Sequence, residues 1–395
     1  MIRKTAVLTL AASIGLCLSA SAALSTETFS PGDKGIFAVT STLIEGDRDA
    51  VLVDAQFQNQ YAEKVSEMIK KSGKNLKYIF ISSSDPDFYF VVSRIKKDFP
   101  HAQVISTAQT AYLISASKDD KIKVWKDQLG KDGPLSIEVP QAVKTNRITI
   151  DGDIIEIKDD LTNPGHSFLY IPSLSTVLGS NLVTEKAHVW MADASGPREI
   201  DAWIKGLEQM ESLKPRQVIP GHYIEKDFSP SRIAFTKNYI TDYRAALSSE
   251  KTPEGIISYM EKKYPSLSDQ DTLAFSAKVS TGQTEWKTYS PYPPIGRTAH
   301  DSFDNLAFDL HFLDNKTMTF VGTGGPTKGL SDTVQYTAVE IAPHIFMVYW
   351  HEPHTGLNIV HIQNWNTGDL YTNVSAKDGS FTHSRGTIVM SPEKK

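Results

Sequence analysis

The chain has 395 residues, 40% of them hydrophobic and 10% aromatic, with a formal net charge of −5. That composition belongs to well-packed globular domains and excludes an intrinsically disordered chain, while the length allows two or three domains. Basic residues are dispersed along the sequence, so nucleic acid is not expected as a partner.

The first segment, MIRKTAVLTLAASIGLCLSASA, has a basic start, an apolar centre and a small-residue exit at Ala20-Ser21-Ala22. This pattern predicts a signal peptide over 1–22, cut after Ala22. The apolar run is shorter than the ~20 residues a bilayer span needs. No later stretch is longer, so no membrane span is expected in the mature chain. Cys17, the single cysteine, lies inside this segment, and Leu16 before it is not the small residue a lipoprotein signal requires. The mature chain would therefore have no thiol for a disulfide, a nucleophile or a metal. A periplasmic or secreted location is the expectation.

Residues 36–44 and 50–54 read as two strands around a Glu45-Gly46-Asp47 turn. Apolar positions at Ala62, Val65, Met68 and Ile69 have helical spacing. Tyr78–Ile81 follows as a buried strand, then a helix over Val91–Phe99, a strand at 104–106 and a helical stretch over 108–129. Strands are predicted at 147–150, 153–158, 167–171 and 176–178, a helix over Glu199–Leu213 and a strand at 217–219. Strands paired around turns with helices between them indicate a layered α/β domain. Residues 229–285 read as a helical connector, with Thr252-Pro253 starting one helix. From about 286 the texture becomes all-β, with strands at 306–312, 334–341, 345–351, 358–365, 370–374 and 381–390.

The order of elements over roughly 30–225 carries a resemblance. Ser41–Ile44, Val51–Ala55, FISSSDPDFYF at Phe80–Phe90, Gly179–Val183, His188–Ala192 and Val218–His222 together resemble the metallo-β-lactamase fold. The resemblance implies an αββα sandwich over 23–228. It also implies one or two zinc ions, which generate a hydroxide for hydrolysis. The family's ligand loop is Thr-His-X-His-X-Asp-His, and this sequence departs from it. Ser82 stands for the threonine, Ser83 and Asp85 for the first two histidines, and Phe88 for the last, while Asp87 is kept. Asp160 falls at the next histidine position with His166 nearby, Asn181 replaces the bridging aspartate, and His222 is kept. Serine is a poor zinc ligand, phenylalanine is none, and neutral asparagine cannot bridge as a carboxylate does. What remains is oxygen-rich and suits a harder cation. No cofactor is expected beyond, at most, a single divalent ion on Asp85, Asp87 and His222.

Each of these residues also has a structural role open to it. Asp87 could cap the following helix, His222 could be a satisfied loop histidine, and Phe88 and Tyr89 could pack beneath the loop. The functional reading is a retained cleft that binds a small molecule, lined by Ser83, Phe88, Tyr89, His166, Asn181, His188 and Trp190.

The stretch from Asp332–Ile341 through Phe346–Pro353, Val360–Trp365 and Leu370–Asn373 to Asp378–Phe381 resembles the MoaF-like domain, whose barrel is similar to that of lipocalins. The resemblance implies a small barrel over 286–395. Strand alternation puts Trp350 and Glu352 on one face of a strand and His361, Gln363 and Trp365 on one face of the next. Pointing inward, Trp350, Glu352, His361 and Trp365 would make a second candidate pocket in the barrel, and the alternative is that the histidines lie on its outer face. The expectation is thus an exported small-molecule binder built on a hydrolase fold. The alternatives are a hydrolase of esters, lactones or similar small substrates using a modified metal site, and a protein-interaction scaffold.

Overall fold

Residues 23–159, 166–194 and 196–391 are described by a computed structural model of the chain. The predicted signal segment over 1–22 and Asp160 lie outside the described residues.

The chain opens on a sheet. Strand β1 (Ser25–Phe29) pairs antiparallel with β2 (Ser41–Glu45), which turns back into β3 (Asp49–Val53). Helix α1 (Asn59–Ser72) returns the chain to β4 (Asn75–Ile81), parallel to β3. The short α2 (Pro86–Tyr89) and α3 (Val92–Asp98) lead to β5 (Gln103–Ser106), parallel to β4. The long α4 (Ala108–Leu129) leads to β6 (Gln141–Ala142). Every residue of β3 is buried, as expected of a central strand covered on both faces. Helix α1 forms because Ala62, Val65, Met68 and Ile69 fall on one stripe. It stops at Gly73, whose φ of 67° is the left-handed conformation that glycine adopts without strain.

The second sheet is a meander of β7 (Arg147–Ile150), β8 (Asp153–Lys158), β9 (Phe168–Ile171) and β10 (Thr176–Leu178). After the short β11 (Thr184–Glu185) and helix α5 (Pro197–Ser212), β12 (Gln217–Ile219) joins this sheet parallel to β10, and β13 (His222–Tyr223) pairs with β11. The two sheets face each other. Val51, Val53 and Phe80 of the first pack on Ile155, Leu169 and Ile171 of the second. The outer face of the first sheet, with Leu52 and Ile79, is covered by α1 and α3. The outer face of the second is covered by α5 together with α6 (Ser231–Ser249), α7 (Pro253–Lys263) and α8 (Gln270–Ser280). Helix, sheet, sheet and helix form four layers, the αββα sandwich expected for this region.

The C-terminal part is a closed barrel of β14 (Thr298–Ser302), β15 (Ala307–Phe312), β16 (Thr317–Gly324), β17 (Ser331–Ala342), β18 (Ile345–His351), β19 (Asn358–Asn364), β20 (Asp369–Ser375) and β21 (Phe381–Met390). All neighbours are antiparallel, and β14 closes on β21. Closure gives every strand of the barrel two neighbours. Tyr112 and Leu113 of α4 join the barrel core beside Tyr292, Ile295 and Phe346.

The strand expected over 36–44 begins only at Ser41. The chain before it is held instead by side-chain packing, with Phe37 against Phe57 and Trp125. Strands β1, β14 and β16 have no counterpart in the sequence reading. Strand β14 is hidden because its buried positions are Ala299 and Asp301, not large apolar residues. Among the described residues, no helix is long and apolar enough to cross a membrane.

Candidate functional site

The site lies where β3, β4 and β10 end. After Ile81 the chain turns through Ser82, Ser83 and Ser84, and Asp85 precedes α2. Ser82 is fixed from three directions. Asp54 accepts its N–H at 2.7 Å and its hydroxyl at 2.6 Å, and the Ser180 N–H donates to its Oγ at 2.6 Å. Asp54 and Ser180 have φ of 62° and 68°, left-handed conformations that cost energy for residues with a Cβ. This buried knot joins the ends of the three strands. Burial pushes the Asp54 carboxyl up to about 7, although the Ser82 hydrogen bonds and the nearby His222 pull the other way.

Above the knot, His222 and Asp87 meet at 2.7 Å through Nε2 and Oδ2. His222 is placed by the turn after β12. Gly221 before it accepts Thr40 N–H at 2.8 Å and donates to the Val183 carbonyl at 2.9 Å. Burial disfavours the imidazolium. The hydrogen bond and charge of Asp87, with further help from Asp85 and Asp269, outweigh that effect, so the net direction is upward. The Phe88 ring meets the imidazole edge-on, centroids 5.3 Å apart at 89°.

Asp85 accepts a hydrogen bond from the Asn181 amide and lies 3.8 Å from Lys121 Nζ. Lys121 also donates to the Ser84 carbonyl at 2.7 Å. Ser83 is fully buried, its Oγ accepts the Asp85 N–H at 3.2 Å, and its backbone pairs with His166. His166 lines the cleft, and its buried Nδ1 has no hydrogen-bond partner among the described residues. Phe88 and Tyr89 are fully buried in the core under the first sheet. His188 is buried in the second core, with Nδ1 2.9 Å from the Tyr239 hydroxyl, and burial lowers its pKa to about 4. Trp190 stacks on Phe275 at 5.1 Å and donates from Nε1 to Asp193 at 2.6 Å. Trp350, Glu352 and His361 are buried inside the barrel, on the other half of the molecule. Among the described residues no group of three or more His, Cys, Asp or Glu side chains is placed to hold a metal ion.

A cleft of about 270 Å³ opens beside Asp85, His166, Asn181 and Trp190. A smaller recess of about 40 Å³ leads from it toward Asp87 and His222. Much of the cleft wall was not anticipated from sequence. Lys121 comes from α4, Trp203 and Arg198 from α5, and Lys287, Tyr289 and His344 from the C-terminal part. Asp193 is held between Trp190 and Trp286, which donates at 2.8 Å to its other oxygen. Burial first, then the charge of Asp85, raises the Asp193 pKa. A tryptophan indole followed three residues later by aspartate was the available signal for this contact. Nothing in the sequence brings Trp286 to it.

The two-sheet sandwich, with its site at the strand ends, resembles the metallo-β-lactamase fold, and an all-antiparallel barrel follows it. The MoaF-like family model matches residues 295–389, nearly the whole barrel. The uncharacterized protein YobT of Bacillus subtilis (strain 168) is 22% identical over 134 residues, 33% of this chain and 54% of that protein. The chain thus spans about half the length of that relative. Among solved structures, a metallo-beta-lactamase family protein from Thermus thermophilus is 14% identical, covering 65% of this chain and 91% of that chain with a TM-score of 0.47. The DIM-1 metallo-beta-lactamase is 16% identical, covering 56% of this chain and 98% of that chain with a TM-score of 0.40.

Proposed function

We propose that this protein is a small-molecule binder on a metallo-β-lactamase fold, a pseudo-hydrolase whose zinc chemistry has been lost. The observation that carries the reading is the pairing of Asp87 with His222 at 2.7 Å, beneath an open cleft and beside the Phe88 ring. In a zinc centre both side chains would turn their lone pairs to the metal. Here the His222 Nε2–H donates to the Asp87 carboxylate, so this nitrogen carries a proton where a metal ligand would offer a lone pair. The neighbouring positions offer a serine hydroxyl, a phenyl ring and an asparagine amide already bonded to Asp85. A dizinc centre requires several imidazoles and a bridging carboxylate, so this donor set does not fit one.

The binding side of the proposal rests on the cleft. Trp190, Trp203 and Tyr289 give it apolar walls, and Lys121, Asp85, His166 and Arg198 supply a few polar groups. That mixture is usual for small-ligand sites. An exported location belongs to the same reading and is checked by N-terminal sequencing of the mature protein from cell fractions.

The test is metal analysis of protein purified without chelator, together with hydrolysis assays on lactones, esters and β-lactams with added Zn²⁺ or Mn²⁺. The expected result is neither stoichiometric metal nor turnover, with co-purifying or screened small molecules perturbing Trp190 fluorescence. Stoichiometric metal that disappears in Asp87→Ala, or metal-dependent turnover, would overturn the proposal in favour of a hydrolase.

A further inference from the structure

The barrel contains a buried polar cluster remote from the cleft. Asp301 on β14 is 1% exposed, and neither of its carboxylate oxygens has a hydrogen-bond partner among the described residues. The His361 Nδ1 atom is 3.6 Å from Asp301 Oδ2, too long for a hydrogen bond. Thr372, the cross-strand neighbour of His361, is 8% exposed, and its hydroxyl is also without a partner. An unsatisfied buried acceptor costs free energy, and two on one carboxylate are unusual in a packed interior.

His361 adds to the imbalance. Tyr292 donates its hydroxyl hydrogen to Gln363 Oε1 at 2.7 Å, which leaves the Gln363 amide NH₂ facing His361 Nδ1 at 3.5 Å. At 3.5 Å from the Gln363 amide and 3.6 Å from Asp301 Oδ2, Nδ1 has no close hydrogen-bond partner among the described residues. Once ionised, Asp301 presents two carboxylate oxygens here, with the His361 ring and one rotatable hydroxyl beside them. The cluster is rich in acceptors and poor in donors.

Its surroundings are aromatic and reach an open end. The Trp350 ring lies 4.6 Å from the His361 ring, and the Phe303 ring lies 6.4 Å from it. On β21, Thr382 and Ser384 share the inward face with buried Ile388, yet both are exposed. β14 pairs with β21 only over Thr387–Met390, so β21 runs past its partner here and this end of its inward face meets solvent.

We propose that this end of the barrel is a binding site for a small organic ammonium ion, held by Asp301 through its N–H groups and bordered by His361, Trp350 and Phe303. An ammonium carries three donors and a charge, which complement the acceptors and the ring faces. Burial pushes the empty Asp301 carboxyl well above its usual range, with a further contribution from Asp309 on β15. The other ionisable groups around it are His361, which burial holds neutral, Tyr292 at the barrel base and Glu352 beside Trp350. Binding a cation there converts the acid to its carboxylate and releases a proton to solvent.

The experiment is calorimetric titration of the full chain with benzylamine, its neutral isostere benzyl alcohol, and benzoate. Benzylamine is expected to bind one-to-one, with the other two at least about tenfold weaker, because only the ammonium makes charge-assisted hydrogen bonds. Its heat should vary between phosphate and MOPS buffers, neither of which supplies a primary ammonium, in the sense of proton release. Asp301→Asn should weaken benzylamine at least about tenfold and abolish the buffer dependence, and Thr372→Val should weaken it a few-fold. Should Asp301→Asn fail to fold, the wild-type comparison of amine with alcohol and the proton release decide the matter alone. Equal binding of benzyl alcohol, no binding of benzylamine, or binding without proton release overturns the proposal. A loss of affinity on Asp85→Asn with none on Asp301→Asn also overturns it, by assigning the amine to the cleft.

Discussion

At the scale of single residues, Asp54 links the fold to pH. It is fully buried, with a carboxyl raised by burial from 3.8 to about 7. Below pH 4 both the folded and unfolded chains hold its proton. Between about 4 and 7 the folded chain keeps a proton that the unfolded chain has lost, so its contribution to stability falls as pH rises through that window and is level above it. The shift from 3.8 to about 7 corresponds to at most roughly 4 kcal/mol. His188 and His361 work in the opposite sense. Burial lowers them to about 4 and about 3, so each favours folding more as pH rises toward 6.5. The wild-type curve therefore mixes both signs, and the difference from Asp54→Asn isolates one. Asparagine tolerates the φ of 62° at this position. Urea denaturation of the two proteins from pH about 4 to about 7.5 should show wild type losing stability relative to Asp54→Asn by a few kcal/mol. Parallel curves would show that Asp54 is ionised in the folded protein throughout.

At the scale of elements, the turn between β12 and β13 decides where His222 stands. A Cβ on Gly221 would lie 1.9 Å from the Ser180 carbonyl oxygen and 3.2 Å from Asn181 Cα, backbone atoms that have no side-chain freedom to yield. Gly221→Ala is expected to cost about 2–3 kcal/mol through this clash. It should also shift the His222 and Asn181 NMR signals together, because the two loops must part. A thermal midpoint within a degree or so of wild type would mean that the loops separate freely. This close approach explains which parts of the site were legible in the sequence. The Pro-Gly-His run after an apolar strand is visible as residues, and so is the serine–aspartate loop after β4, because short apolar runs followed by polar turns mark strand ends. A layered α/β domain was equally legible from alternating strands and helices, while its αββα order came from the resemblance. The resemblance had already put Asp87 and His222 in one site across 135 residues; that they would bond directly to each other was not legible. Nor was the inward Asp301 of β14, because hydrophobic alternation registers a buried acid as an exposed position. Tyr89 is an aromatic beside the loop, as the sequence suggested, but it is fully buried in the core cluster.

At the scale of the whole molecule, the sandwich and the barrel share structure. Helix α4 begins at the strand end beside the site, capped by Thr107, whose hydroxyl accepts the Thr110 N–H at 3.2 Å. One turn later it gives Tyr112 and Leu113 to the barrel core. Gln109 donates to the Tyr292 carbonyl at 2.7 Å from a buried position, Lys287 pairs with Asp120 at 2.8 Å, and Trp286 binds Asp193 at the cleft wall. The exposed Lys287–Asp120 pair contributes little. The buried aromatic contacts and the Gln109 bond are what couple the two halves, since either half alone would leave Tyr112 and Tyr292 facing water. Domains joined by a small polar interface melt separately, whereas a shared apolar core makes loss of one half expose the other. Differential scanning calorimetry of the full chain is therefore expected to show one transition, with calorimetric and van't Hoff enthalpies in agreement. Tyr112→Ala, a large-to-small change in that shared core, should cost about 3–5 kcal/mol and split or broaden the transition by loosening the barrel first. Two resolved transitions in the wild type, unmoved relative to each other by Tyr112→Ala, would show that the cleft wall contributed by Lys287, Tyr289 and His344 is docked and not built in.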